Sequence, residues 1–79
     1  MEGIKETKGS RITERLKKEG IDNIQVIELS PSVILFSGES KDWVESLLVM
    51  IRILQIFNAT LLNIFNNEEI WYLKVLMKK

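Results

Sequence analysis

Seventy-nine residues, 46% of them hydrophobic and 28% charged, allow one small domain with little interior to spare. Eleven basic side chains balance eleven acidic ones, so no whole-chain field draws the protein to nucleic acid or an anionic membrane. With no Cys and no His, the chain excludes disulfides, thiolate or imidazole catalysis and the usual zinc and haem ligand sets.

Residues 1–9 are polar, carry Gly3 and Gly9, and are expected to form a flexible lead before a single domain over 10–79. The lead mixes acidic and basic residues and lacks the apolar stretch of an export signal, which points to a cytoplasmic protein. Ser10 suits an N-cap, Ile12 and Leu16 share one face of a short helix, Lys17 and Lys18 suit its last turn, and Gly20 offers a left-handed stop. Ile24–Leu29 and Val33–Phe36 are rich in β-branched and large apolar residues, and Ser30-Pro31-Ser32 between them predicts a hairpin. In the second strand both faces are apolar, so both are expected to be covered.

A longer helix is expected with Ser40 as its N-cap and Asp42 in its first turn, running to Phe57. Trp43, Leu47, Met50, Ile51, Leu54 and Phe57 form its expected core stripe. Val49, Ile53 and Ile56 lie on the other side among Asp42, Glu45, Arg52 and Gln55. A helix apolar nearly all round is normally covered on two sides. Those charges, and a run shorter than the roughly 20 residues of a span, argue against a membrane helix. Thr60–Phe65 and Ile70–Met77 read as a last hairpin turning at Asn66–Glu69. The expected fold is therefore α+β, in the order α-β-β-α-β-β, with a mainly antiparallel sheet and helices packed on one face. Aligning the two hairpin turns sets Val33–Phe36 against Ile70–Leu73 and suggests an internal αββ duplication, although identity between the halves is negligible. Ile, Leu and Val supply 26 residues, a usage common in proteins from hot environments.

Chemistry-bearing patterns are sparse. Glu68 and Glu69 are neighbours in a turn with no reason to converge on a substrate, and Ser37 and Ser46 lack an activating base. The four glycines are scattered and form no phosphate loop. These features predict no enzyme, no cofactor and no metal. Lys8, Arg11, Arg15 and Lys18 recur at helical spacing and form the candidate anion or nucleic-acid contact, extended by Lys78 and Lys79. Glu14 and Glu19 dilute that stripe, and no aromatic residue is interleaved for base stacking. The stronger signal is surplus apolar surface. Val49, Ile53, Ile56, Ile70, Tyr72 and Leu76 exceed what one small core buries easily and are the candidate interface of a homodimer or of a complex with a partner protein.

The order αββαβ, with Ser32-Val33-Ile34-Leu35-Phe36-Ser37-Gly38 as its second strand and Ile12–Leu16 in its first helix, resembles BON domains over about residues 10–65. The chain differs from them at Pro31-Ser32, where the family has a turn Gly, and at Asn58-Ala59-Thr60 after the long helix. The resemblance implies a non-enzymatic module that interacts with phospholipid surfaces or partner proteins. The stretch Glu39–Gln55, with Ile51-Arg52-Ile53-Leu54, is also similar to the last helix of the Pcc1 family, small dimerising subunits of the KEOPS tRNA-modification complex. That likeness implies a nucleic-acid-associated accessory protein.

Overall fold

A computed structural model describes residues 6–78 of the chain. The first helix, α1 (Lys8–Lys18), starts three residues earlier than its sequence suggests, because Thr7 rather than Ser10 is the N-cap. Thr7 Oγ1 accepts the Ser10 amide at 3.1 Å while Ser10 Oγ accepts the Thr7 amide at 3.0 Å, a reciprocal pair that satisfies two donors at the helix end. Residues 8 and 9 of the expected lead are thus helical, and residues 1–5 lie outside the described ones. Arg15, Lys17 and Lys18 occupy the last turn, and Gly20 follows with φ of 81°, where a side chain would be strained.

Strands β1 (Gln25–Glu28) and β2 (Val33–Glu39) form the first hairpin. Leu29 donates to the Val33 carbonyl at 2.9 Å, and Ser30 Oγ accepts the Val33 amide at 3.1 Å, so the Ser-Pro-Ser segment closes the turn as its residues imply. The long helix α2 (Ser40–Ile56) follows directly, with Glu39 rather than Ser40 at its N-cap, because β2 runs on to Glu39 and leaves no linker. The chain past it turns at Asn58, whose φ of 54° is the left-handed stop that Asn tolerates. Strands β3 (Ala59–Asn67) and β4 (Ile70–Met77) close the chain. Both Asn66 and Asn67 pair across the hairpin, which tightens the expected four-residue turn to Glu68–Glu69.

The four strands make one antiparallel sheet in the order β1-β2-β4-β3. Residues opposite one another share a face. One face therefore carries Val26 and Glu28 of β1, Ile34 and Phe36 of β2, Leu73 and Val75 of β4, and Leu61 and Ile64 of β3. Both helices lie on that face, where Ile12 and Leu16 of α1 and Trp43, Met50 and Ile53 of α2 join Ile24, Ile34, Phe36, Val75 and Met77 in the core. The opposite face carries Ile27, Val33, Leu35, Tyr72 and Leu76 and is covered by no helix, contrary to the two-sided cover expected for β2.

Two polar devices fix the layers. The Trp43 indole N–H is shared between the carbonyls of Gly38, at 3.0 Å, and Trp71, at 3.2 Å, so one core side chain ties α2 to both central strands. Gly38 leaves room for this packing, since a Cβ there would stand 3.4 Å from Trp43 Nε1 and 2.6 Å from Ile24 Cδ1. On β1, Glu28 Oε2 accepts the Gly9 amide at 2.7 Å, holding a carboxylate at the amino end of α1 where the helix dipole favours it.

The pairing of the two central strands is symmetric in register. Phe36 pairs with Leu73, 37 positions on, and the same displacement carries the Val33–Leu76 pair onto the Ile70–Glu39 pair. The central register is therefore symmetric under exchange of the two αββ units. The symmetry fails at the helices. Helix α1 packs mainly on edge strand β1, whereas α2 spreads its contacts over β2, β3 and β4.

Candidate interaction surface

The two edges of the sheet are unlike. Strand β1 is four residues long, contains Glu28 and is packed against α1. Strand β3 is nine residues long, has no charged side chain, and beyond Ala59 is exposed throughout. Natural edges are normally protected by charge, shortness or cover. The only protective feature of β3 is an irregularity between Leu61 and Asn63, which leaves Leu62 without a partner opposite.

The same flank continues onto α2. Trp43, Ser46, Met50 and Ile53 are buried, which turns Val44, Leu47, Leu48 and Ile51 away from the core. Val44 and Leu48 are each 77% exposed. The side of α2 toward α1 is marked by Arg52, whose guanidinium lies 3.4 Å from Glu19. The side toward β3 is marked by Ser40, whose hydroxyl accepts the Trp71 indole N–H at 2.7 Å. Leu47 and Ile51 fall on the Ser40 side at helical spacing, so with Leu61 and Ile64 they line an apolar trough between α2 and the free edge.

The expected interface residues are dispersed by the fold. Ile53, placed outward by its polar sequence neighbours, is 1% exposed and belongs to the core. The buried stripe runs through Ser46 and Ile53 rather than Leu47 and Ile51, and Ser46 tolerates burial because its hydroxyl donates to the Asp42 carbonyl at 2.6 Å. Val49 is half-buried against the core, while Ile56 is exposed. Ile70, Tyr72 and Leu76 lie on the uncovered face of the sheet and are half-buried. Tyr72 is partly shielded by Phe65, whose ring stacks on it with centroids 5.0 Å apart and planes 17° from parallel. The signal that identifies the actual flank is the uncharged run from 59 to 67 combined with exposed Val44 and Leu48.

The basic stripe is also partly occupied. Arg15 pairs with Glu19 at 3.6 Å, Lys8 Nζ donates to the Lys78 carbonyl at 3.4 Å, and the Arg11 guanidinium lies 5.7 Å from the Phe57 ring centroid. Lys18 is exposed, and Lys79 lies outside the described residues. Among the described residues, no group of three or more acidic, Cys or His side chains is placed to hold a metal ion, and no helix is long and apolar enough to cross a membrane. Comparison with protein-family models, with curated proteins and with solved structures gives no match for this chain.

Proposed function

We propose that the protein is a non-catalytic interaction and assembly module of the cytoplasm, which works by burying the α2–β3 flank against another polypeptide. One observation carries this reading. Val44, Leu47, Leu48 and Ile51 of α2 and Leu61, Leu62 and Ile64 of β3 stand between 45% and 77% exposed along one side of a small domain. At roughly 150–200 Å² per fully exposed residue of this size, they present on the order of 700 Å² of apolar surface, about one partner's share of a standard-size interface. Patches of that extent mark interaction sites. Residues 59–67 hold no charged side chain, so β3 offers no cation with which to grip phosphate.

Leu48→Glu tests the reading. In dilute solution the variant should keep the urea midpoint of the parent chain, because Leu48 makes little contact within it, and should lose association at high concentration. A variant that unfolds in dilute solution would place Leu48 in the core and end the proposal.

A further inference from the structure

We infer that the occupant of the flank is a second copy of this chain, joined β3 to β3 in antiparallel fashion about a two-fold axis near Asn63, so that two four-stranded sheets become one of eight. The inference rests on the flank being an interaction surface and adds who covers it and how.

Charge carries the argument. The beginning of β3 sits in a basic surround: Lys8, Arg11 and Lys78 line one depression with Ile56, Phe57, Asn58 and Met77, and Met77 pairs with Ala59, the first residue of β3. The end of β3 is acidic. Glu68 and Glu69 form the turn, and Glu39 lies beside Glu69, with Lys41 the one cation in that group. Nine residues at about 3.3 Å each put these poles about 30 Å apart within one copy, several times the roughly 10 Å screening length at 0.1 M salt. They do not act on each other inside the monomer. Antiparallel apposition of two β3 strands sets the acidic end of each beside the basic end of the other, and does so twice. Lys78 would then stand about two strand spacings, roughly 10 Å, from the partner's β3, within reach of long side chains.

Between the poles β3 itself is neutral, and the charge beside its midpoint is Lys74 of β4, one strand further in and opposite Asn63. A two-fold axis at Asn63 brings only the residues beside it near their own copies, so a charge there would repel itself, and residues 59–67 carry none. The same operation places both α2 helices on one face of the joined sheet. Centred over β4 and its copy, their axes would be about three strand spacings, roughly 14 Å, apart. Direct helix packing needs about 8–10 Å, and the remainder is the width that Leu47, Leu48 and Ile51 of both copies can fill above Leu61 and Ile64. The departure of α2 from the position that α1 holds over its own edge strand is what leaves this trough open.

A charge-swap cycle read by sedimentation equilibrium of the full chain tests the arrangement. The parent chain should be dimeric at tens of micromolar. At low salt, Glu68→Lys with Glu69→Lys should weaken the dimer about tenfold, and Lys8→Glu with Lys78→Glu should weaken it by a similar factor. The fourfold variant should return to within about twofold of the parent, since the poles meet only between copies. Additive losses in the fourfold variant, or a chain that stays monomeric at every concentration, would overturn the inference. Leu48→Glu separates the two readings: a dimer abolished by Leu48→Glu but with additive charge swaps keeps the flank and removes the antiparallel pairing. A dimer indifferent to Leu48→Glu removes the flank itself.

Discussion

Truncating Ile53 and Leu48 to alanine separates core from flank on one helix. Both are branched aliphatic residues in the interior of α2, so helix propensity alone would make each substitution mildly favourable. They differ in surroundings: Ile53 is 1% exposed among Phe36, Val75 and Met77, whereas Leu48 meets solvent. Emptying a buried Ile site costs about 2–5 kcal/mol through lost transfer energy and the cavity left behind. For a chain of this length the whole stability is about 4–12 kcal/mol, so Ile53→Ala should remove a large share of it. Each kcal/mol is worth roughly 4–8 °C in Tm at this size, which puts the loss for Ile53→Ala at about 8 °C or more. Leu48→Ala should stay within about 0.5 kcal/mol of the parent. Urea unfolding followed by tryptophan fluorescence, at concentrations where no dimer forms, measures both. Equal effects at the two positions, or a greater loss at Leu48, would refute the assignment of the buried stripe to Trp43, Ser46, Met50 and Ile53. By the same reasoning Ile53→Glu should unfold the chain rather than dissociate an assembly.

Trp43→Phe removes the N–H that the Gly38 and Trp71 carbonyls share and should cost about 1–3 kcal/mol. Trp71→Phe, which loses only an exposed bond to Ser40, should cost less, and thermal unfolding followed by circular dichroism compares them. Glu68 turns the last hairpin with φ of 60°, a region costly for a residue with a side chain, so Glu68→Gly should raise stability by about 1 kcal/mol in the same assay. A fall in Tm for Glu68→Gly would mean that the carboxylate makes a compensating contact at the turn.

Much of the fold is legible along the chain because its signals are local. Pro31 between two serines, Gly20 after two lysines and the alternation of Ile34 and Phe36 each act over a few residues, and the elements, their order and the α+β class follow from them. The interaction surface is not legible in the same way. On α2 apolar residues occur all round, so the periodicity that selects a buried stripe is nearly flat, and a stripe through Leu47 and Ile51 reads as well as one through Ser46 and Ile53. The neighbours decide it: Trp43 reaching the carbonyls of Gly38 and Trp71 fixes the rotation of the helix about its axis.

The same division holds for the strands. Amino-acid order alone determines that β3 and β4 exist and turn within Asn66–Glu69, because hairpin pairing is a property of adjacent segments; the pairing of Asn66 and Asn67 that narrows the turn to Glu68–Glu69 is seen only in the folded hairpin. It does not determine that β4 rather than β3 inserts beside β2, since either could offer an apolar face there. Only the assembled sheet makes β3 the free edge, leaves Leu61 and Ile64 beside the exposed side of α2, and sets a basic end and an acidic end about 30 Å apart on one strand. Long-range pairing chooses among partners of similar local quality, and that choice turns a hydrophobic surplus, visible in the composition, into a surface with a place and a direction.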